Sequence, residues 1–132
     1  MKYRKITKYK YELMETFTES LRVSDYVQTE FIELGDTGIT IREGYCWNGA
    51  SGPVIDTKST MRGSLVHDAL YQLMRMGKIG QEYKLLADHT FRRLIREDGM
   101  CAFRAWYLYK GVRLFGRKSA AVQQREPKII EI

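Results

Sequence analysis

Two periods divide this chain. Up to about residue 45, polar and apolar residues roughly alternate in "KYKYELME" and "YVQTEFIEL", the two-residue period of a strand with one buried face. "GDTG" then opens "ITIREGY", where Ile39 and Ile41 share a face and Arg42 and Glu43 mark the start of the solvated side. Asp36-Thr37-Gly38 is the predicted turn, because Asp and Gly tolerate tight-turn backbone angles. Two or three antiparallel strands are expected. From residue 64 the period lengthens: Val66, Ala69, Leu70 and Leu73 fall at i, i+3, i+4 and i+7, predicting an amphipathic helix capped by Ser64 and stopped at Gly77. A second helix is predicted from about Gln81 to Glu97, with an inner stripe of Lys84 (by its stem), Ala87, Asp88, Phe91, Leu94 and Ile95, ended by Asp98-Gly99. A third, "MCAFRAWYLYKGVRLF", is aromatic-rich and expected to pack across the other two. The pattern predicts one α+β domain over residues 1–117: N-terminal antiparallel β-strands, a Gly-rich loop and three packed helices. Residues 118–132, with Pro127 before a short apolar end, read as a C-terminal extension or an arm that docks on a partner.

Composition narrows the setting. A chain of 132 residues, 44% hydrophobic, can bury a core without disulfide staples. Its two cysteines, Cys46 and Cys101, fit a reducing compartment and are expected as buried thiols. "MKYRKITKYKYEL" lacks the apolar run of a signal peptide, and no apolar run of about 18 residues occurs, so a soluble product of the cytoplasm is expected. A net charge of +6 favours anionic partners without choosing among nucleic acid, acidic phospholipid and acidic protein. At the N-terminus Lys2, Arg4, Lys5, Lys8 and Lys10 interleave with Tyr3, Tyr9 and Tyr11. That arrangement suits a nucleic-acid backbone, and better suits a solvated edge strand guarded by lysines.

The chemistry concentrates in "GYCWNGASGPVIDTKSTMRGSLVHDALY", residues 44–71. On a helix His67 and Tyr71 stack at i and i+4, while Asp68 lies about 100° round and points toward the preceding loop. Asp88 follows twenty-one residues after His67 on the inner stripe of an antiparallel neighbour, placed to accept a hydrogen bond from the imidazole. A histidine whose far nitrogen is held by a carboxylate has a fixed tautomer and suits general-base work. If Asp68 also holds a hard cation, that cation can polarise a carbonyl. Calcium fits the part, taking a carboxylate, the Asn48 side-chain oxygen and carbonyls of "CWNGASGP", those of Cys46 and Gly49 among them. A zinc site from Cys46, His67, His89 and Cys101 lacks ligand spacing, and an HD-type phosphohydrolase would want a further upstream His. His89 is expected at the surface, and Asp56 with Pro53 as turn chemistry. Trp47, Trp106, Tyr107 and Tyr109 are expected as core or rim aromatics; in an enzyme, Trp47 with Met74 or Met76 could instead touch lipid.

The order of Gly-rich loop, "SGPVID", "VHDALY" and "ADHTF" resembles the core of the phospholipase A2 superfamily over about 45 residues. The resemblance implies His67 as base, Asp88 as its partner, Tyr71 as a supporting hydroxyl, and Asp68 with loop carbonyls as calcium ligands. The β N-terminus, "NGAS", "HDALY", "AD" and the aromatic third helix are also similar, over nearly the whole chain, to the phage-associated domain of unknown function 1353. Where that family has "DGASIP" this chain has "NGASGP", which removes a carboxylate at position 48. Two functions follow as expectations. One is a phage-encoded, calcium-dependent ester hydrolase, made in the host cytoplasm and acting on phospholipid from a virion or tail component. The other is a non-enzymatic phage protein that keeps the fold and binds other phage structural proteins.

Overall fold

The alternating apolar positions fold into strands shorter and more numerous than their pattern suggests. In the computed structural model, which describes residues 1–7, 10–49 and 57–121, they are β1 (Tyr3–Thr7), β2 (Lys10–Leu13), β3 (Phe17–Glu19), β4 (Val27–Gln28), β5 (Ile32–Gly35), β6 (Gly38–Ile41) and β7 (Cys46–Trp47). Two antiparallel sheets result, ordered β1-β2-β7 and β3-β6-β5-β4. Seven described strands replace the expected two or three: β4 and β7 hold two residues each and β3 three, too few for alternation to register, and the others are runs of four or five. The predicted turn is present: Gly35 pairs with Gly38 around Asp36-Thr37. Strand β1 forms a sheet edge, with Lys2, Arg4 and Lys5 exposed along it.

Register decides which β7 side chains face inward. Tyr11 pairs with Trp47 and both are buried, while Glu12 pairs with Cys46 and that pair faces outward. The Cys46 thiol is therefore exposed, not buried as expected. Cys101, in the link after the second helix, is exposed as well.

Three helices follow: α1 (Lys58–Arg75), α2 (Tyr83–Glu97) and α3 (Ala102–Ser119). Helix α1 starts earlier than its apolar period suggests, because Thr57 and Thr60 close its first turn. The Thr57 N–H donates to Thr60 Oγ1 at 3.0 Å, and the Thr60 N–H to the Thr57 carbonyl at 3.0 Å. Ser64 is consequently a buried mid-helix residue and no cap. Its hydroxyl donates to the Met61 carbonyl and accepts from Trp47 Nε1 at 3.1 Å, fastening β7 to α1. Helix α3 runs on to Ser119, and Gln81 Nε2 donates to the Ala120 carbonyl, so ordered packing extends past residue 117.

Contacts fix the helix directions. Tyr71 meets Asp88, Gly63 lies against Phe91 and Ile95, and Arg62 binds Glu97 and Asp98, so α1 and α2 run antiparallel. Apolar residues of both sheets, Leu13, Ile32, Leu34, Ile39 and Ile41, join Leu65, Leu70, Leu73 and Met74 of α1 in one core. A smaller cluster of Phe91, Ile95, Met100, Ala105 and Leu108 joins α2 to α3. At the rim Arg62 also reaches Glu19 of β3 at 3.2 Å, tying the second sheet to the helices.

Glycine at position 63 permits the close α1–α2 crossing: a Cβ there would stand 2.8 Å from Ile95 Cγ2 and 3.2 Å from the Phe91 carbonyl oxygen. Its helical backbone would favour alanine by about 1 kcal/mol, whereas overpacking costs typically about 1–3 kcal/mol. Gly63→Ala should therefore lower stability in denaturant unfolding; equal or greater stability would show that the crossing has slack.

Candidate functional site

The predicted His67–Asp88 pair is formed. His67 Nε2 lies 2.7 Å from Asp88 Oδ1, and the Tyr71 hydroxyl donates to the same oxygen at 2.7 Å. Helical spacing stacks the His67 and Tyr71 rings with centroids 4.1 Å apart, and Phe91 closes on the imidazole at 5.4 Å. Asp88 is 1% exposed and His67 6%. With a carboxylate at Nε2, the tautomer that satisfies the pair carries its proton on Nε2 and leaves the Nδ1 lone pair available. Among the described residues no buried side-chain nitrogen or oxygen lacks a partner, and Asp88 is the one hydrogen-bond partner of the imidazole. Nδ1 is thus the nitrogen with access to solvent.

A fourth member comes from α3. Arg113 Nη1 donates to Asp88 Oδ2 at 2.9 Å, giving the second carboxylate oxygen a cation. No motif in the sequence marks Arg113. The signal is physical: a carboxylate on a buried stripe needs compensating charge. Helix α3, which holds arginines and lysines and no acidic residue, was the obvious source. Its approach is close, since a Cβ at Gly116 would collide with the Tyr71 hydroxyl. Burial, then the hydrogen bond and charge of Asp88, push the Tyr71 hydroxyl well above the usual tyrosine range, opposed by Arg113.

The other predicted residues are not part of this cluster. Asp68 is half-buried and acts electrostatically on Tyr45, whose hydroxyl is raised first by burial and then by the Asp68 charge, and which donates to Gln72 at 2.9 Å. Asp68 therefore lies near Tyr45, in the β6–β7 link, and takes no part in the His67–Asp88 hydrogen bond. The Asn48 side chain is exposed, the Cys46 thiol lies 3.6 Å from the Gly44 carbonyl, and Gly49 is buried with φ of 78°. Asp68, the Asn48 amide oxygen and the main-chain carbonyls of Cys46 and Gly49 are all oxygen donors, the kind a hard cation takes. One of them carries charge, and among the described residues no three His, Cys, Asp or Glu side chains converge, so such a site belongs at the weak end of the calcium range. Residues 50–56, with Pro53 and Asp56, lie outside the described residues.

His89 is exposed, stacked near Tyr109 with ring centroids 5.1 Å apart. Trp47 and Met74 are buried and do not face solvent, whereas Met76 does. Trp106 and Tyr107, expected as core or rim, are exposed. An open cleft lined by Tyr26, Lys78, Ile79 and Gln81 at the α1–α2 turn holds none of the cluster residues. The chain matches no family model, no curated protein and no solved structure. No helix among the described residues is long and apolar enough to cross a membrane.

Removing the Tyr71 hydroxyl deletes a bond to a carboxylate, worth about 1.5–3 kcal/mol. Folded Tyr71 keeps its proton above pH 10 while the unfolded chain loses it, so this stabilisation shrinks as pH rises past 10. The stability gap between the wild type and Tyr71→Phe should be wide at pH 8 and narrower at pH 11 by denaturant unfolding; a gap that stays constant contradicts the assignment.

Proposed function

We propose that the protein is a hydrolase that uses His67 as general base, with phospholipid ester as substrate and a phage virion or tail component as its setting. The observation that carries the reading is the orientation of the imidazole: Nε2 is committed to Asp88 and Nδ1 is left open. In this mechanism Nδ1 takes a proton from a water molecule as that water attacks the ester carbonyl, and later returns it to the leaving alkoxide. Asp88, held by Tyr71 and Arg113, keeps the ring oriented and offsets charge on the imidazolium. Asp68, the Asn48 amide and the carbonyls of Cys46 and Gly49 would hold a calcium ion, which supplies a Lewis acid for the carbonyl. The phospholipase A2-like order of loop, His67, Asp68, Tyr71 and Asp88 supports the substrate class. The likeness to domain of unknown function 1353 supports a phage protein made in the host cytoplasm.

A second reading, a non-enzymatic phage structural or host-interaction protein, is favoured by Arg113. With that cation in place, Asp88 is satisfied without any reacting group, and the network can serve to join three helices.

Purified protein on mixed phospholipid vesicles should release fatty acid with calcium and not with chelator. His67→Ala should lower the rate at least about 100-fold, the scale of a lost general base. No release from the folded wild type under either condition would overturn the hydrolase reading in favour of the structural one.

A further inference from the structure

Helix α3 buries one face and leaves the other uncovered. Ala105 and Leu108 pack with Phe91, Ile95 and Met100, with Val112 beside them, and this is the face that faces α2. About 180° round, Phe103, Tyr107 and Leu114 fall at i, i+4 and i+11 in a single stripe, with Trp106 alongside. Their exposures are 75% for Phe103, 59% for Tyr107, 78% for Leu114 and 42% for Trp106. Isolated exposed apolar residues are ordinary, but a contiguous row of large ones on a helix marks an interaction surface. Lys110 lies within this row, its ammonium 5.7 Å from the Trp106 ring centroid, and Arg104 is exposed beside it. The helix sequence AFRAWYLYKGVRLFGRKS contains five arginines and lysines and no aspartate or glutamate.

Charge selects the occupant. Against a second copy of this face, like charges would oppose one another, which disfavours self-association. A nucleic acid would meet the cations and stack on the aromatic rings, yet it has no use for Leu114, the most exposed residue of the stripe. An anionic bilayer surface uses both properties: aromatic and aliphatic side chains enter the boundary between headgroups and acyl chains while arginine and lysine meet the phosphates. We infer that the outer face of α3, through Phe103, Trp106, Tyr107, Lys110 and Leu114, docks this protein on anionic phospholipid membranes, lying in the plane of the interface. The inference does not rest on the hydrolase reading, because none of Phe103, Trp106, Tyr107, Lys110 and Leu114 is a partner of Asp88 in the His67 cluster.

Tryptophan supplies the readout, since Trp47 is buried and Trp106 is exposed. Wild-type protein in chelator, titrated with vesicles of phosphatidylcholine containing 30% phosphatidylserine, should show a blue shift of tryptophan emission and co-sediment with the vesicles. Binding should weaken with added salt and be at least tenfold weaker on pure phosphatidylcholine. The double variant Phe103→Ser/Leu114→Ser, with thermal unfolding unchanged because both sites are exposed, should lose at least tenfold in vesicle binding, and Lys110→Glu should lose binding to the anionic vesicles. His67→Ala should bind like the wild type, so a failure of hydrolysis leaves this result unaffected. Equal binding of the double variant and wild type overturns the inference. So does a concentration-dependent dimer that Phe103→Ser/Leu114→Ser dissociates, or retention on an oligonucleotide that Lys110→Glu abolishes without any vesicle binding.

Discussion

Asp88 is removed from water by the packing of α2 against both α1 and α3, and a carboxylate in that position costs several kcal/mol unless its oxygens are met by donors. Three side chains meet them: His67 and Tyr71 from α1 and Arg113 from α3. Each helix therefore presents a residue to one carboxyl group, and the helices cannot slide without breaking at least one of these bonds. The ladder of apolar contacts alone, Gly63 on Phe91 or Leu108 near Ile95, would allow neighbouring registers at modest cost. The carboxylate is less forgiving, because a single lost partner leaves charge or polarity buried without compensation.

Other features of the helical layer follow from this requirement. Tyr71 can stand over Asp88 because position 116 on α3 carries no side chain. Phe91, one turn along α2 from Asp88, covers the imidazole and limits His67 to its two useful edges, one on the carboxylate and one open. The sheets contribute at a distance: Trp47 of β7 holds Ser64, one turn before His67, so the β-layer anchors the segment of α1 that carries the histidine. The same geometry that stabilises the bundle thus also sets an imidazole in one tautomer, and this is why a structural and a catalytic reading share their residues.

Much of this was legible in the sequence. Helical spacing alone puts His67 and Tyr71 on one face and sends Asp68 elsewhere, and the inner stripe of α2 puts Asp88 within reach of both. Less legible was whatever depends on partners distant in sequence. Whether Ser64 begins a helix or lies inside it depends on Thr57 and Thr60 forming a first turn that no apolar period announces. Cys46 faces outward because its register against Glu12 is set by Trp47 pairing with Tyr11, and a two-residue strand leaves no pattern to read. Arg113 was invisible as a pattern because an arginine on a basic helix looks like surface; it becomes legible only when Asp88 is required to have a countercharge. The exposure of Trp106 and Tyr107 on α3 is illegible for a related reason, since only the packing shows that Ala105, Leu108 and Val112 face α2.

The helix packing and the chemistry both depend on the imidazole of His67 being held by its Nε2 proton on Asp88, and that can be read directly from side-chain ¹⁵N shifts in long-range ¹H–¹⁵N correlation spectra. The chain has two histidines, so a His89→Gln variant assigns the remaining signals to His67. At a pH where the ring is neutral, Nε2 should show the shift of a protonated ring nitrogen and Nδ1 that of an unprotonated one. A proton on Nδ1, or averaged shifts from two exchanging tautomers, would contradict the orientation on which both the packing and the chemistry are built.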